Sequence, residues 1–397
     1  MALVSARSTR PERPRIWNDP RWRGLVIQAT LLAVVVAAFA FGAHNARVNM
    51  EARGIPTGFG FWWDNAKFDV SQKLIPFDAL SSNARAFLVG LLNTLVVAAI
   101  GIVLATLLGF ALGAARVSRS WLAARLAGAY VEAVRNVPLL LQLLFWYYAV
   151  LSPLPGPRQS ASLFDLFFLN NRGLLVPEPV FLPGAGVVAA ALAIGLALAL
   201  AFRWAARRRQ RQTGERWPVG LVAAALIVGF PLAAFFVTDR PIDWTVPVLK
   251  GFNFQGGLRL TPEAVALTLG LVLYTAAFIA EVVRAGILAV PHGQTEAASA
   301  LGLAPGPTRR LVVTPLAMRV IVPPLINQYL NLTKNSSLAV FIGFSDFVQV
   351  TNTVLVNTGA AVQVVSITMA VYLAISLLTA AAVNLFNRRF SQGERRS

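Results

Sequence analysis

Six stretches of this chain run for bilayer length without a single charged residue, and that property alone removes most folds from consideration. They cover residues 24–42, 86–115, 136–157, 179–202, 217–238 and 264–280. Each approaches or exceeds the roughly 17–25 residues that cross hydrocarbon as a helix. Two further spans are expected at 320–345, interrupted by Lys334, and from about 364 within the uncharged run 347–387, which makes eight. Charged residues are only 13% of the chain and hydrophobic ones 56%, whereas a soluble domain carries about 25% charge. Backbone groups in hydrocarbon must be satisfied within their own segment, so the expected class is an all-α integral membrane protein.

The formal net charge of +18 raises the question of nucleic acid, which requires the cations to gather on one folded face. Here they sort by side of a membrane. With a cytoplasmic N-terminus, inside segments hold 23 Lys and Arg and outside segments 10, while Arg135 and Lys334 fall in or at the edge of spans. This is the positive-inside asymmetry with both termini cytoplasmic, so a lipid bilayer and no nucleic acid is the expected environment. The absence of cysteine excludes disulfides and thiolate sites. The two histidines, His44 and His292, fall on opposite sides of the membrane in this topology, so no metal centre is expected. The first apolar run, 19 residues long, exceeds a signal peptide's core and lacks a cleavage site after it, so it reads as an uncleaved span.

The spans divide the chain into a cytoplasmic tail (1–23), a first span with its outside segment (24–86), a core part (87–151), an inserted pair of spans (152–257), a second core part (258–390) and a short cytoplasmic tail (391–397). The inserted hairpin is joined by an arginine-dense loop, 203–216, and its spans carry almost no polar side chain, which suits a peripheral, lipid-facing scaffold. Outside segments are expected as short loops rich in Pro, Gly and aromatics. The segment 55–63, with Phe59, Phe61, Trp62 and Trp63, is expected at headgroup level.

Polar residues within spans are costly and turn toward a partner or a wet cavity. Glu132 and Arg135, three apart, are placed to meet on one helix face, with Gln142 two turns further along the same helix; Glu281 and Arg284 repeat the pairing at the cytoplasmic end of the sixth span. Both pairs have a plain reading as neutralised helix ends. In the seventh span Asn327, Gln328, Asn331, Thr333, Lys334, Asn335, Ser336 and Ser337 cluster within eleven residues. They suit either a gate or contact with a zwitterionic solute, or polar packing between helices.

One segment contrasts with everything around it. Residues 294–302, Gln-Thr-Glu-Ala-Ala-Ser-Ala-Leu-Gly, look water-soluble. They predict a helix of about two turns, capped by Thr295 and stopped by Gly302. Too short and too poor in large apolar residues to pack a core, such a rod suits insertion into another protein's groove. No Gly-x-x-x-x-Gly-Lys-[Ser/Thr] loop occurs, so the chain has no phosphate cradle of that kind and is expected to be no enzyme. The rival class is a secondary transporter driven by an ion gradient, for which Glu132, Glu281 and Lys334 would be the titratable groups.

Taken together these residues resemble the permease subunits of bacterial ATP-driven (ABC) importers for polar amino acids. Glu296-Ala297-Ala298 with Leu301 and Gly302 is similar to the importers' EAA loop, here within 284–319, and is followed by Val312, Val313 and Pro315. Asn93-Thr94-Leu95, Gly101, Ala105, Gly109, Gly113 and Ala115-Arg116 match the amino-acid branch, as do Glu132, Arg135-Asn136, Pro138-Leu139-Leu140, Gln142, Pro323-Pro324-Leu325, Asn327-Gln328, Lys334 and Ser336-Ser337-Leu338-Ala339. Thr314-Pro315-Leu316 stands where Leu-Pro-Gln is usual, and Asn335 where Asp is frequent. The resemblance implies a five-helix type I importer core, enlarged by the first span and the hairpin as in broad-specificity amino-acid permeases. It implies that Glu296, Ala297, Ala298, Leu301, Gly302 and Pro315 couple to separate ATPase subunits, which hold ATP and Mg, since this chain binds no cofactor. It further implies a second, different permease, a periplasmic amino-acid-binding protein, and location in the inner membrane. The substrate path is expected along Arg135, Asn136, Gln142, Asn327, Gln328 and Lys334, with a gate or helix break at Asn335, Ser336 and Ser337.

Overall fold

The computed structural model describes residues 20–56, 58–215 and 217–391. The N-terminal tail as far as residue 19 and the tail from 392 lie outside the described residues, as does Arg216 of the arginine-dense loop. Eleven principal helices make up the described chain: α1 (Pro20–Ala52), α2 (Asn83–Arg116), α3 (Trp121–Asn136), α4 (Leu139–Leu151), α5 (Ala185–Thr213), α6 (Val219–Val237), α7 (Pro262–Leu288), α8 (His292–Ala300), α9 (Pro305–Ile342), α10 (Phe347–Thr358) and α11 (Ala361–Ser391). Seven of them are long and apolar enough to cross a bilayer.

The centre of the molecule is the pairing of α2 with α7. Each begins on a hydroxyl cap: Ser82 accepts from Arg85 N–H, and Thr261 accepts from Ala264 N–H, ahead of Pro262 at the first helical position. Gly101, Ala105, Gly109 and Gly113 recur every fourth residue on α2 and are all buried. This small-residue stripe lets two backbones approach closely, which is how helices associate where lipid gives no hydrophobic drive. A Cβ at Gly109 would lie 2.6 Å from Ile279 Cβ, and one at Gly113 would lie 2.6 Å from Val283 Cβ and 2.8 Å from the Ala280 carbonyl oxygen. The packing therefore tolerates glycine alone at both positions. Leu267, Leu271, Ile279, Ile321 and Leu332 fill the surrounding core. Asn93 and Thr94 tie α2 to neighbouring segments, Asn93 Nδ2 donating to the carbonyls of Gln72 and Ser345 and Thr94 Oγ1 accepting from Phe347 N–H.

The expected third span, 136–157, is one continuous helix only from Leu139 to Leu151, and it is bent away from the helix before it. Helices α3 and α4 meet at a bend of 104°, and the helix after the bend ends at Leu151. Pro138 lacks an N–H and forces Val137 into an extended conformation (φ −101°, ψ 127°), so the helix cannot continue through it. The carbonyls orphaned at the corner are taken up by Gln142, whose Nε2 donates to those of Val134 and Val137, both at 2.9 Å. Glu132 and Gln142 consequently lie on different helices, contrary to the sequence expectation. The last seven residues of α4, Phe145–Leu151, are π-wound.

The segments expected outside are more structured than loops. Strands β1 (Ala161–Leu163), β2 (Phe167–Asn170), β3 (Gly173–Val176) and β8 (Leu258–Leu260) form an antiparallel sheet in the order β1-β2-β3-β8. Two ribbons pair β4 (Glu178–Phe181) with β5 (Ile242–Thr245) and β6 (Val248–Lys250) with β7 (Asn253–Gln255). The β4–β5 ribbon brings the two ends of the inserted hairpin together, and α5 packs principally on α6. In segment 55–63 the aromatics divide: Phe61 is buried and Trp62 stacks on Phe87 at 5.1 Å, while Phe59 and Trp63 stay exposed. Helix α1 shows its apolar side chains on every side, as a helix bathed in lipid does.

Candidate functional site

Helix α8 stands out from the body of the protein. Pro291, in an extended conformation, is its entry residue, so the helix starts at His292 and Thr295 lies inside it rather than capping it. Ser299 Oγ donates instead to the Thr295 carbonyl. The stop at Gly302 is as expected: its φ is +77°, nothing approaches within 4 Å of where a Cβ would be, and its N–H donates to the Ser299 carbonyl at 2.9 Å. Of the nine helical residues only Ala298 is buried, at 3% exposure. Glu296 points outward and hydrogen-bonds His292 Nδ1 at 2.9 Å, and Leu301, 83% exposed, closes the tip. Ala297 and Gly302 are exposed beside it. Pro315 has no N–H for the Leu311 carbonyl, and the turn just before it, Arg309–Val313, widens into a π-helix.

The ends of two helices, α2 and α3, meet at one carboxylate within α7. Glu281 of α7 pairs with Arg284 at 2.6 Å, accepts from Arg116 at the end of α2, and lies 3.7 Å from Arg135 at the end of α3. The Glu281–Arg284 pair is as expected. Glu132 and Arg135 do not pair: Arg135 turns to Glu281 and lies over the Phe278 ring at 5.1 Å, leaving Glu132 exposed. Glu281→Gln leaves three guanidiniums around a neutral amide. It is expected to destabilise the protein by roughly 2 kcal/mol, read as a lower unfolding midpoint in detergent. Glu132→Gln should change that midpoint little, because Glu132 is exposed and has no ion pair among the described residues, and such a carboxylate contributes close to nothing.

The polar cluster of α9 resolves into two groups. Thr333 Oγ1 donates to the Tyr329 carbonyl, Ser336 Oγ to that of Thr333 and Ser337 Oγ to that of Lys334. These hydroxyls serve the helix itself where its α-turns end at Asn335 and 3₁₀ turns begin at Ser336. Asn327, Asn331 and Lys334, at i, i+4 and i+7, instead share an exposed face with Val320, Pro323 and Pro324. Gln328 and Asn335 are half-buried at its margin. An amide and ammonium stripe facing lipid would be costly, so this face belongs against another chain or a water-filled path. Arg135 and Asn136 lie at the α3–α4 corner, and Gln142 Nε2 is committed to that corner's carbonyls. Among the described residues no hydrogen bond joins this corner to the α9 stripe. Sequence reasoning did not foresee that Arg116 joins Glu281, a contact across 165 positions, nor that Asn331 falls in line with Asn327 and Lys334, which the spacing alone could have indicated.

Residues 101–392 match the family of binding-protein-dependent transport system inner membrane components. The chain is 48% identical over 377 residues to the general L-amino acid transport system permease protein AapQ of Rhizobium johnstonii, covering 95% of this chain and 94% of that protein. It is 47% identical over 381 residues to the putative amino-acid ABC transporter permease protein YhdX of Escherichia coli K12, covering 95% and 96%. It is 40% identical over 413 residues to the glutamate/glutamine/aspartate/asparagine transport system permease protein BztB of Rhodobacter capsulatus, again covering 95% and 96%. A helical chain with seven candidate spans, a matching family model over most of its length and relatives similar from end to end belongs to the inner membrane components of binding-protein-dependent transport systems.

Proposed function

We propose that the chain is the permease subunit of an ATP-driven importer of polar or general L-amino acids, paired with a second related permease, supplied by a periplasmic binding protein and driven by separate ATPase subunits that hold ATP and Mg. The observation that carries the reading is α8, a nine-residue peg with one buried anchor, Ala298, and an outward Glu296 and Leu301. A helix this bare has no internal reason to keep its shape, and a groove in a partner supplies one. The relatives' names support the substrate class. The excess of Lys and Arg on one side supports cytoplasmic termini and thus a cytoplasmic α8.

The path for the solute runs along the exposed face of α9, where Lys334 offers a cation to a carboxylate and Asn327 offers an amide to either end of a zwitterion, with Gln328 at the edge and Arg135 and Asn136 at the inner corner. Gln142 shapes that corner and leaves its Oε1 to the path. Asn335, Ser336 and Ser337, at the change from α to 3₁₀ winding, form the gate. An ion-gradient carrier is disfavoured because Glu281 is held by arginines and Glu132 is exposed. Asn327→Ala and Lys334→Ala are expected to lower ATP-dependent uptake at least about tenfold, the effect of losing one charged or bidentate contact, while the ATPase and second permease still co-purify. Unchanged uptake in these and in the alanine variants of Arg135, Asn136 and Gln328 would place the path elsewhere.

A further inference from the structure

The arginine-dense end of the inserted hairpin is a built face rather than a scatter of positive charge. In α5 the uncharged residues Ala185 to Phe202 rise about 27 Å, close to the roughly 30 Å of hydrocarbon. Arg203 therefore marks the membrane boundary, and the helix continues to Thr213, on the order of 15 Å further. At 100° per residue, Arg203, Trp204, Arg207, Arg208 and Arg211 fall within one sector of about 140°. The opposite sector holds the hairpin together. There Ala206 is buried, Phe202 stacks on Trp217 at 5.4 Å, and Arg209 is used up by Glu215 at 3.0 Å and by the Trp217 ring.

On the outward sector the four arginines pair with no carboxylate among the described residues, and the one ring contact there sets Arg208 over Trp204 at 5.7 Å. Arg203, Arg207 and Arg211 succeed one another at one-turn spacing, an arrangement that disfavours the helix on its own. An anionic surface against this face would offset that repulsion. We infer that this face binds the phosphates of anionic phospholipid headgroups and so pins the hairpin's arginine end to the bilayer surface. A lipid surface fits better than an acidic protein for two reasons: the face starts at the hydrocarbon boundary, and its indole, Trp204, is 65% exposed among the cations, as in an interfacial anchor. The pinning is independent of which solute the protein carries.

The chain lacks cysteine, so a dye on Gln212→Cys reports on this end alone when the full chain is reconstituted in phosphatidylcholine vesicles. A trace of spin-labelled phosphatidylglycerol is expected to quench it several-fold more than spin-labelled phosphatidylcholine, and high salt should weaken the preference. Each arginine near an anionic surface strengthens attraction about fivefold, so R203Q/R207Q/R208Q/R211Q should remove the preference, while the four corresponding lysine substitutions should retain it and show that the hairpin still folds. Equal quenching by the two lipids in the wild type overturns the inference. So does a preference that survives in the glutamine variant, or capture of an acidic protein by a face with no lipid preference.

Discussion

Valine at Gly113 is expected to prevent the protein from assembling. Its first side-chain carbon would meet Val283 Cβ at 2.6 Å and the Ala280 carbonyl at 2.8 Å. Neither atom is the end of a flexible side chain, so α2 and α7 must separate along their length. Overpacking of an ordinary core costs about 1–3 kcal/mol. Here the same displacement also parts Arg116 from Glu281 one turn away and weakens the close backbone contact that replaces hydrophobic drive in lipid. A loss of at least about 3 kcal/mol follows, read as failure to elute as a single species in detergent and a collapsed unfolding transition. Gly128→Val on α3, where nothing lies within 4 Å of the added carbon, is the matched control and should behave as wild type. Normal elution of the Gly113 variant would contradict the account of this interface.

The second large effect concerns coupling without folding. Gly302→Pro removes the N–H that donates to the Ser299 carbonyl and drives φ from +77° toward about −65°. The tip of α8 is then re-aimed while its anchor, Ala298, stays seated. Stimulation of ATP hydrolysis by the loaded binding protein is expected to fall at least about tenfold, with insertion and subunit recovery unchanged. Glu296→Lys should do the same by another route. The side chain is exposed and, among the described residues, its one ion pair is with His292, so reversing its charge disturbs little besides a partner. Gly302→Ala, which keeps the N–H and incurs about 1 kcal/mol of left-handed strain, should fall between. Full stimulation in both Gly302→Pro and Glu296→Lys would remove α8 from the coupling path.

What could be read from the sequence follows from how local each signal is. The spans are legible because hydrocarbon imposes an uncharged run on a continuous segment, and the peg is legible because it breaks that pattern and ends in a glycine. The α3–α4 corner sits at the start of the uncharged run 136–157, where the polar end of α3 reads as the beginning of the same span, although Val137-Pro138 with Gln142 a few residues later contains its cause. The strands are only three or four residues long, too short to show the alternation that marks a half-buried strand. The carboxylate hub is the least legible feature. Arg116, Arg135 and Glu281 meet only because α2 and α3 both end beside the same stretch of α7, and an i, i+3 rule read along one helix pairs Arg135 with Glu132 instead. Polar residues in α9 carried the reverse difficulty: the cluster was evident, but only the built helix separates hydroxyls that serve their own carbonyls from the amides and ammonium that face outward.

The most direct measurement is amino-acid accumulation by vesicles containing this chain, with and without its partner subunits. The assembled complex, given binding protein outside and ATP inside, should accumulate amino acid, and the chain by itself should accumulate none under a proton or sodium gradient of either polarity. Accumulation by the isolated chain under such a gradient would show that it drives transport without an external motor, and α8 would then have no coupling role.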